Sequence, residues 1–256
     1  MRFLSVAHTD VGISKKINQD AFCLKIAKVP NANIAFAVMC DGMGGLNNGE
    51  YASALVVNAF SNWFENEFPG IADKDLQLHR VTQRWKEIVQ DQGRKILEYG
   101  QSRGISLGTT LTALLIINDK FAVIHVGDSR LYKISDAMHQ LTKDQTVAAF
   151  EVEQQRMTLA EAKNDRRSSI LLQCVGASKV IEPEVQVGTL TENEAFMLCS
   201  DGFRHCVSDE EMYGIIAPGL LTSEKVMKKS LVDLVELNKS RDEKDNITAI
   251  LIKAIH

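Results

Sequence analysis

The sequence predicts a layered α+β domain. Three observations predict it: several strand-like pieces in the first and middle thirds, a central pair of long helical stripes, and two further helices before a final apolar strand. "RFLSVAHT" (Arg2–Thr9) and "DAFCLKIAKV" (Asp20–Val29) alternate apolar and polar residues, as half-buried strands do. "PNAN" reads as a turn, and "NIAFAVMCD" (Asn33–Asp41) is apolar almost throughout, which suits a strand covered on both faces. Ala52, Leu55, Val56, Ala59, Phe60, Trp63 and Phe64 recur at helical spacing, predicting a helix over Glu50–Phe68 that Pro69-Gly70 ends. A second helix is expected from about Asp73 to Gln101, with Leu76, Val81, Trp85, Ile88, Val89, Ile96 and Leu97 inward and Gly104 closing it.

A block of strands follows in "TTLTALLIIND", "KFAVIHVGDS", "RLYKIS" and "MHQLT", with hairpin turns at Asn118-Asp119 and Ser135-Asp136. The stretch at about 144–170 is polar and helix-prone without a strong apolar face, and reads as a mobile flap over the surface. "LLQCVG" and "EPEVQVGTL" lead to the strand "EAFMLCSD", helices near Ser208–Ile216 and Thr222–Asn238, and the last strand "NITAILIKA". No repeat or Pro/Gly-rich linker interrupts residues 1–256, so one domain is expected.

Composition narrows the function. The chain is 45% hydrophobic and 24% charged, with a formal net charge of −4 and no long basic run, which argues against nucleic acid binding. The N-terminus turns polar at once, and no apolar run approaches the ~20 residues of a membrane span. A cytoplasmic protein is expected. Cys23, Cys40, Cys174, Cys199 and Cys206 form no C-x-x-C pair, which disfavours a disulfide framework or zinc site. Six residues beyond them stand Val29, Leu46, Val180, His205 and Met212; none is Arg, so the C-x5-R chemistry of tyrosine phosphatases is excluded.

The stretch "VMCDGMGG" (Val38–Gly45) ends an apolar run on Asp41 and then strips away side chains. "FMLCSDGF" repeats this with Asp201-Gly202, and "KDNITAILI" reverses it, with Asp245-Asn246 leading into a strand. Asp128, in "HVGDSR", also follows a strand. A single Asp-Gly is ordinarily a turn. Carboxylates converging from several strand ends repel one another, and a hard divalent cation with oxygen ligands, Mg²⁺ or Mn²⁺, relieves that repulsion. Gly42 lets the backbone turn its carbonyl toward an ion, and Gly44 and Gly45 allow close approach and positive φ. Paired ions acidify a bridging water and clamp a phosphoryl oxygen, which suggests in-line hydrolysis of a phosphate ester.

"NQDAF", "CDGMGG", "GTTLTALLI", "HVGDSRLYKI", "LTKDQT", "LCSDGF" and "KDNITAILI", in this order from Val6 to Ile252, resemble the type 2C metal-dependent protein serine/threonine phosphatases in their short bacterial form. The resemblance implies a four-layer α-β-β-α sandwich, two central antiparallel sheets flanked by helices. It implies that Asp41 bridges two ions, that the Gly42 carbonyl binds the second, and that Asp201 and Asp245 bind the first. Asp20 would orient water in the second shell, Asn246 would brace the Asp245 loop, and Asp128 would help hold a weaker third ion with Asp201. It also implies two Mn²⁺ or Mg²⁺ ions, phosphoserine and phosphothreonine proteins as substrates, a cognate serine/threonine kinase pathway, and a monomer. A catalytically silent phosphoprotein-binding module on the same fold and a metal-dependent small-molecule phosphomonoesterase are the alternatives.

Three positions depart from the family pattern. Lys15 stands where many members carry the Arg that holds substrate phosphate; it offers a point charge rather than a fork. Met43 replaces the His that animal members carry as a proposed general acid. His205 stands where bacterial members commonly have Asp, so the third ion is either lost or bound with altered affinity. His125 is expected to be a satisfied sheet histidine, Arg130 a loop anchor, and Trp63 and Trp85 core residues.

Overall fold

The computed structural model describes residues 1–29, 32–44, 48–72 and 77–256, with the backbone alone at Asn164. Its elements are β1 (Arg2–Asp10), β2 (Asp20–Val29), β3 (Ala32–Gly44), α1 (Gly49–Asn66), α2 (Leu78–Arg103), β4 (Leu107–Thr109), β5 (Leu111–Ile117), β6 (Lys120–Val126), β7 (Arg130–Ile134), β8 (Met138–Gln140), α3 (Val147–Glu153), α4 (Leu159–Asn164), β9 (Glu184–Thr189), β10 (Ala195–Cys199), α5 (Asp209–Ile216), α6 (Glu224–Ser240) and β11 (Ile247–Ile255). Pro30 and Asn31 of the expected turn, Gly45, and the expected helix start at 73–76 with its inward Leu76 lie outside the described residues.

Two antiparallel sheets form the centre. One runs β1-β11-β10-β7-β8; the other runs β2-β3-β5-β6-β9, with β4 also paired to β3. The unbroken apolar character of β3 follows from its place between two cores. Ile34, Phe36, Val38 and Cys40 pack with α1 and α2, while Ala35, Ala37 and Met39 pack with the inner faces of β10 and β11. In β11, Ile247, Ala249 and Leu251 face α5 and α6, and Ile250, Ile252 and Ala254 face the opposing sheet. Period-two alternation thus serves three cores, and four layers result: helices, sheet, sheet, helices. Among the described residues, no helix is long and apolar enough to cross a membrane.

The structure corrects several boundaries. The strand expected to end at Asp41 continues to Gly44, so Asp41 lies inside β3. "TTLTALLIIND" breaks at Thr110 into β4 and β5 because Thr110 bonds Asp41 twice. Its amide donates to the Asp41 carbonyl at 2.9 Å, and its hydroxyl accepts the Asp41 amide at 2.8 Å. The end of β6 closes on this break through Gly127, whose φ of +107° and whose Cβ position, 2.7 Å from Thr110 Cγ2, exclude a side chain. The expected hairpins at Asn118-Asp119 and Ser135-Asp136 are present as the β5–β6 and β7–β8 connections.

The stretch expected as a flap holds α3 and α4, each capped by a threonine hydroxyl, Thr146 and Thr158. It joins the body through a neck in which Val147 donates to the Ile170 carbonyl at 2.9 Å and Leu172 to the Gln145 carbonyl at 2.8 Å. Gln145 in turn donates from its amide to the Gly127 carbonyl at 2.8 Å.

Trp63 and Trp85 are buried as expected, and Phe36 sits among them, stacked on Phe64 at 4.7 Å between ring centroids. Phe36→Ala should cost about 3–5 kcal/mol, because the fully buried ring leaves a cavity that fixed aromatic neighbours cannot fill. Urea unfolding checks this; a loss below about 1 kcal/mol would show that the helix-facing core repacks.

Candidate functional site

Five segments bring acidic side chains to one end of the sandwich. Asp20 opens β2 and sits directly opposite Asp41 in the β2–β3 register. Asp128 lies in the turn between β6 and β7, Asp201 just beyond β10, and Asp245 just before β11. A hydrogen bond joins the two sheets here: the Thr248 hydroxyl of β11 donates to Asp20 Oδ2 at 2.5 Å. α1 is seated on the same spot. A Cβ on Gly42 would stand 2.3 Å from the Gly49 carbonyl oxygen and 2.6 Å from that of Gln19. Gly42 is therefore needed for close approach, the role expected of Gly44 and Gly45. It does not turn the chain, however, and neither it nor Gly44 has positive φ.

The acids perturb one another. Burial pushes Asp20 up to about 7; the Thr248 hydroxyl opposes this, and the charges of Asp201 and Asp245 add to it. Burial likewise pushes Asp128 up to about 7, with Asp201 adding and Arg204 opposing. Asp41 is raised well above the usual carboxylate range by burial and by the charges of Asp20, Asp201, Asp128 and Asp245. Two buried carboxylate oxygens, Oδ1 of Asp20 and Oδ1 of Asp201, accept no hydrogen bond. Buried oxygens without donors, among acids that resist ionising together, are what a hard cation satisfies, so the donor set fits Mg²⁺ or Mn²⁺. Among the described residues, no three Asp, Glu, His or Cys side chains yet stand as a ready ligand group. Several already hold partners, as the neighbouring contacts show.

Lys15 is one such partner: its Nζ lies 2.9 Å from Asp245 Oδ1. The loop that carries it is tied down by Asn246. The Asn246 Oδ1 accepts the Gln19 amide at 2.9 Å, and its Nδ2 donates to the carbonyls of Val11 at 3.0 Å and Ile17 at 3.2 Å. Asn246 thus braces the β1–β2 loop as well as its own. Arg130 anchors a loop, as expected: it forks onto Asp144 at 2.8 and 2.7 Å, at the root of the flap. His125 is buried and satisfied, its Nε2 3.0 Å from the carbonyls of Gly127 and Lys143 and its Nδ1 3.0 Å from the Thr112 hydroxyl.

Around Asp128 and Asp201 the partners are cationic. Arg204 Nη2 donates to the Asp128 carbonyl at 3.0 Å and stands 3.4 Å from Asp144 Oδ2. His205 places Nε2 3.4 Å from Asp201 Oδ2 and Nδ1 3.3 Å from Glu243 Oε2. Burial opposes charging of His205, but Glu243 and Asp201 outweigh it and raise its pKa. Glu243 is held in turn, its Oε1 accepting the amides of Lys244 and Asp245, both at 2.8 Å.

Comparison with known proteins decides the family. The family model described as "Protein phosphatase 2C" matches residues 11–239. The chain belongs to the protein phosphatase 2C family. With that family it is a phosphoprotein phosphatase, a hydrolase. Protein phosphatase PhpP of Streptococcus pneumoniae is 28% identical over 249 residues, 95% of this chain and 94% of that protein. The structure of the S. agalactiae serine/threonine phosphatase superposes with a TM-score of 0.82 at 28% identity, covering 98% of this chain and 99% of that one. The catalytic domain of the serine/threonine protein phosphatase PstP, in complex with two manganese ions, gives 0.78 at 26% identity, covering 99% of each chain.

Sequence reasoning placed Asp20, Asp41, Asp128, Asp201, Asp245, Gly42, Asn246 and Lys15 in this region, and the protein phosphatase 2C fold gathers them there. It missed Thr248, Thr110, Glu243 and Arg204. Thr248 and Thr110 stood inside quoted motifs; nothing local marked Arg204 or Glu243.

Between pH 4 and 7 the native acids at about 7 hold protons that an unfolded chain, with Asp near 3.8, has released. Stability of the chelator-treated protein should therefore fall as pH rises through that window. Melting temperature in chelator should be higher at pH 5.5 than at 7.5, Asp41→Asn should flatten the drop, and Mn²⁺ should raise the melting temperature more at pH 7.5. A flat profile in chelator would contradict the clustering of these acids.

Proposed function

We propose that the chain is a metal-dependent protein serine/threonine phosphatase that hydrolyses phosphoserine and phosphothreonine in line, without a covalent enzyme intermediate. The observation that carries this is the convergence of Asp20, Asp41, Asp128, Asp201 and Asp245 from separate segments, with buried oxygens of Asp20 and Asp201 left without donors. Asp41, the Gly42 carbonyl, Asp201 and Asp245 would hold two divalent ions, with Asp20 and Asn246 around them. Bound there, such ions supply Lewis acidity, which acidifies water and offsets charge on phosphoryl oxygens.

The chain's own residues do the rest. Lys15, on a loop that Asn246 fixes at both ends, is placed to leave Asp245 for the incoming phosphate, a stronger and more highly charged acceptor. Its single ammonium grips less specifically than a guanidinium, so substrate position must come from other surfaces as well. The flap, hung on its neck beside Gly127, would border the substrate groove. Phosphoproteins are then the substrates and a serine/threonine kinase pathway their source.

Asp201→Asn should abolish Mn²⁺-dependent hydrolysis of a phosphothreonine peptide, lowering kcat at least about 100-fold through lost charge stabilisation. A folded variant with near-normal turnover would remove Asp201 from the chemistry. Absence of turnover by the native chain with every divalent ion would favour a silent binding module instead.

Lys15→Ala should raise KM about tenfold, the loss of one charge-assisted hydrogen bond, while kcat changes less. An unchanged KM in steady-state kinetics would release Lys15 from the role of phosphate anchor.

A further inference from the structure

We propose that Arg204 and His205 take the place of the weaker third ion that bacterial relatives are expected to hold between Asp128 and Asp201, so that this chain binds two divalent ions and supplies the third positive group itself. The inference rests on the metal-binding reading above, and its test separates the two.

Arg204 lies in the turn after β10, and its side chain is only 13% exposed. A buried guanidinium keeps its charge at any pH the protein meets, so it must face acceptors. It finds them in the Asp128 carbonyl at 3.0 Å, Asp144 Oδ2 at 3.4 Å and Asp128 Oδ2 at 3.9 Å. An ion bound through the Asp128 carboxylate would sit at about 2.0–2.6 Å from its oxygens and would share that acid with a guanidinium of like charge, which repels it.

The second half of the site is filled from the other side. His205 is clamped between two acids, Asp201 Oδ2 at 3.4 Å and Glu243 Oε2 at 3.3 Å, so both ring nitrogens face carboxylate oxygen. Glu243 is 6% exposed and fixed by the backbone amides of Lys244 and Asp245, so it cannot follow the ring elsewhere. Where the family pattern commonly has Asp, this chain has a ring already engaged on both sides.

A side-chain cation differs from an exchangeable one. Arg204 joins Asp128 to Asp144, and Asp144 is forked by Arg130 at the root of the flap. The chain thereby links the acid cluster to the flap permanently, independent of free metal concentration. Arg204 is in this sense a positioning residue.

The test counts ions in the full chain. Calorimetric titration with Mn²⁺ and anomalous diffraction from Mn²⁺-soaked crystals should give two ions per chain, with Arg204 still against Asp128. Arg204→Met combined with His205→Asp should bind a third ion at Asp128, raising the stoichiometry from two to three. His205→Asp alone, with folding checked by circular dichroism, is the second variant and should gain weak third-ion binding while Arg204 still opposes it. A third ion ligated by Asp128 in the unmodified chain would overturn this inference and leave the proposed function standing. So would a folded double variant that still binds only two. Absence of any ion among Asp41, Asp201 and Asp245 would overturn the proposed function, and this inference with it.

Discussion

Carboxylates held close together in a space with little water cannot all ionise unless something positive or proton-donating answers them. Much of the local architecture around Asp41 is such an answer. Thr248 donates to Asp20, Lys15 pairs with Asp245, His205 faces Asp201, and Arg204 faces Asp128. One buried oxygen each on Asp20 and Asp201 is left without a donor. The fold accepts this local cost because the sandwich behind it is large: three apolar cores hold the strand ends in place whether or not the acids are content.

Geometry makes the crowding unavoidable. β2 and β3 are paired so that Asp20 and Asp41 are direct neighbours, and β10 and β11 deliver Asp201 and Asp245 from the facing sheet. A slip of one residue in the β2–β3 register would turn Asp20 or Asp41 away from the space between the sheets and toward the helix-facing core. The apolar alternation in β3 and β11 opposes such a slip, because Ile34 to Cys40 of β3, and Ile247, Ala249 to Ile252 and Ala254 of β11, each already belong to one core or another.

That alternation is why so much was legible beforehand. The runs "NIAFAVMCD" and "NITAILIKA" announce strands buried on both faces, and an acid at such a position has no bland explanation once several recur. The pattern reaches a layered α+β domain; the four layers and the two sheets are what the resemblance carried by the motif order implies. What stayed hidden depends on contacts between distant segments. Arg204 and the Asp128 carbonyl are 76 residues apart, and Thr248 and Asp20 are 228 apart. No periodicity records such a meeting. The resemblance implies a brace for the Asp245 loop at Asn246, but no local pattern carries its hold on Val11 and Ile17. The break at Thr110 was hidden for the opposite reason: the strand signal there was strong, and a hydroxyl replaced one rung of the ladder with a side-chain bond that propensity cannot foresee.

The neck beneath α3 and α4 is fastened by backbone groups: the Val147 amide on the Ile170 carbonyl, the Leu172 amide on the Gln145 carbonyl, and the Gln145 amide on the Gly127 carbonyl. Main-chain fasteners are indifferent to side-chain identity. The intervening stretch can therefore drift in composition without loosening its mooring, and a segment of equal span could be grafted there from a relative.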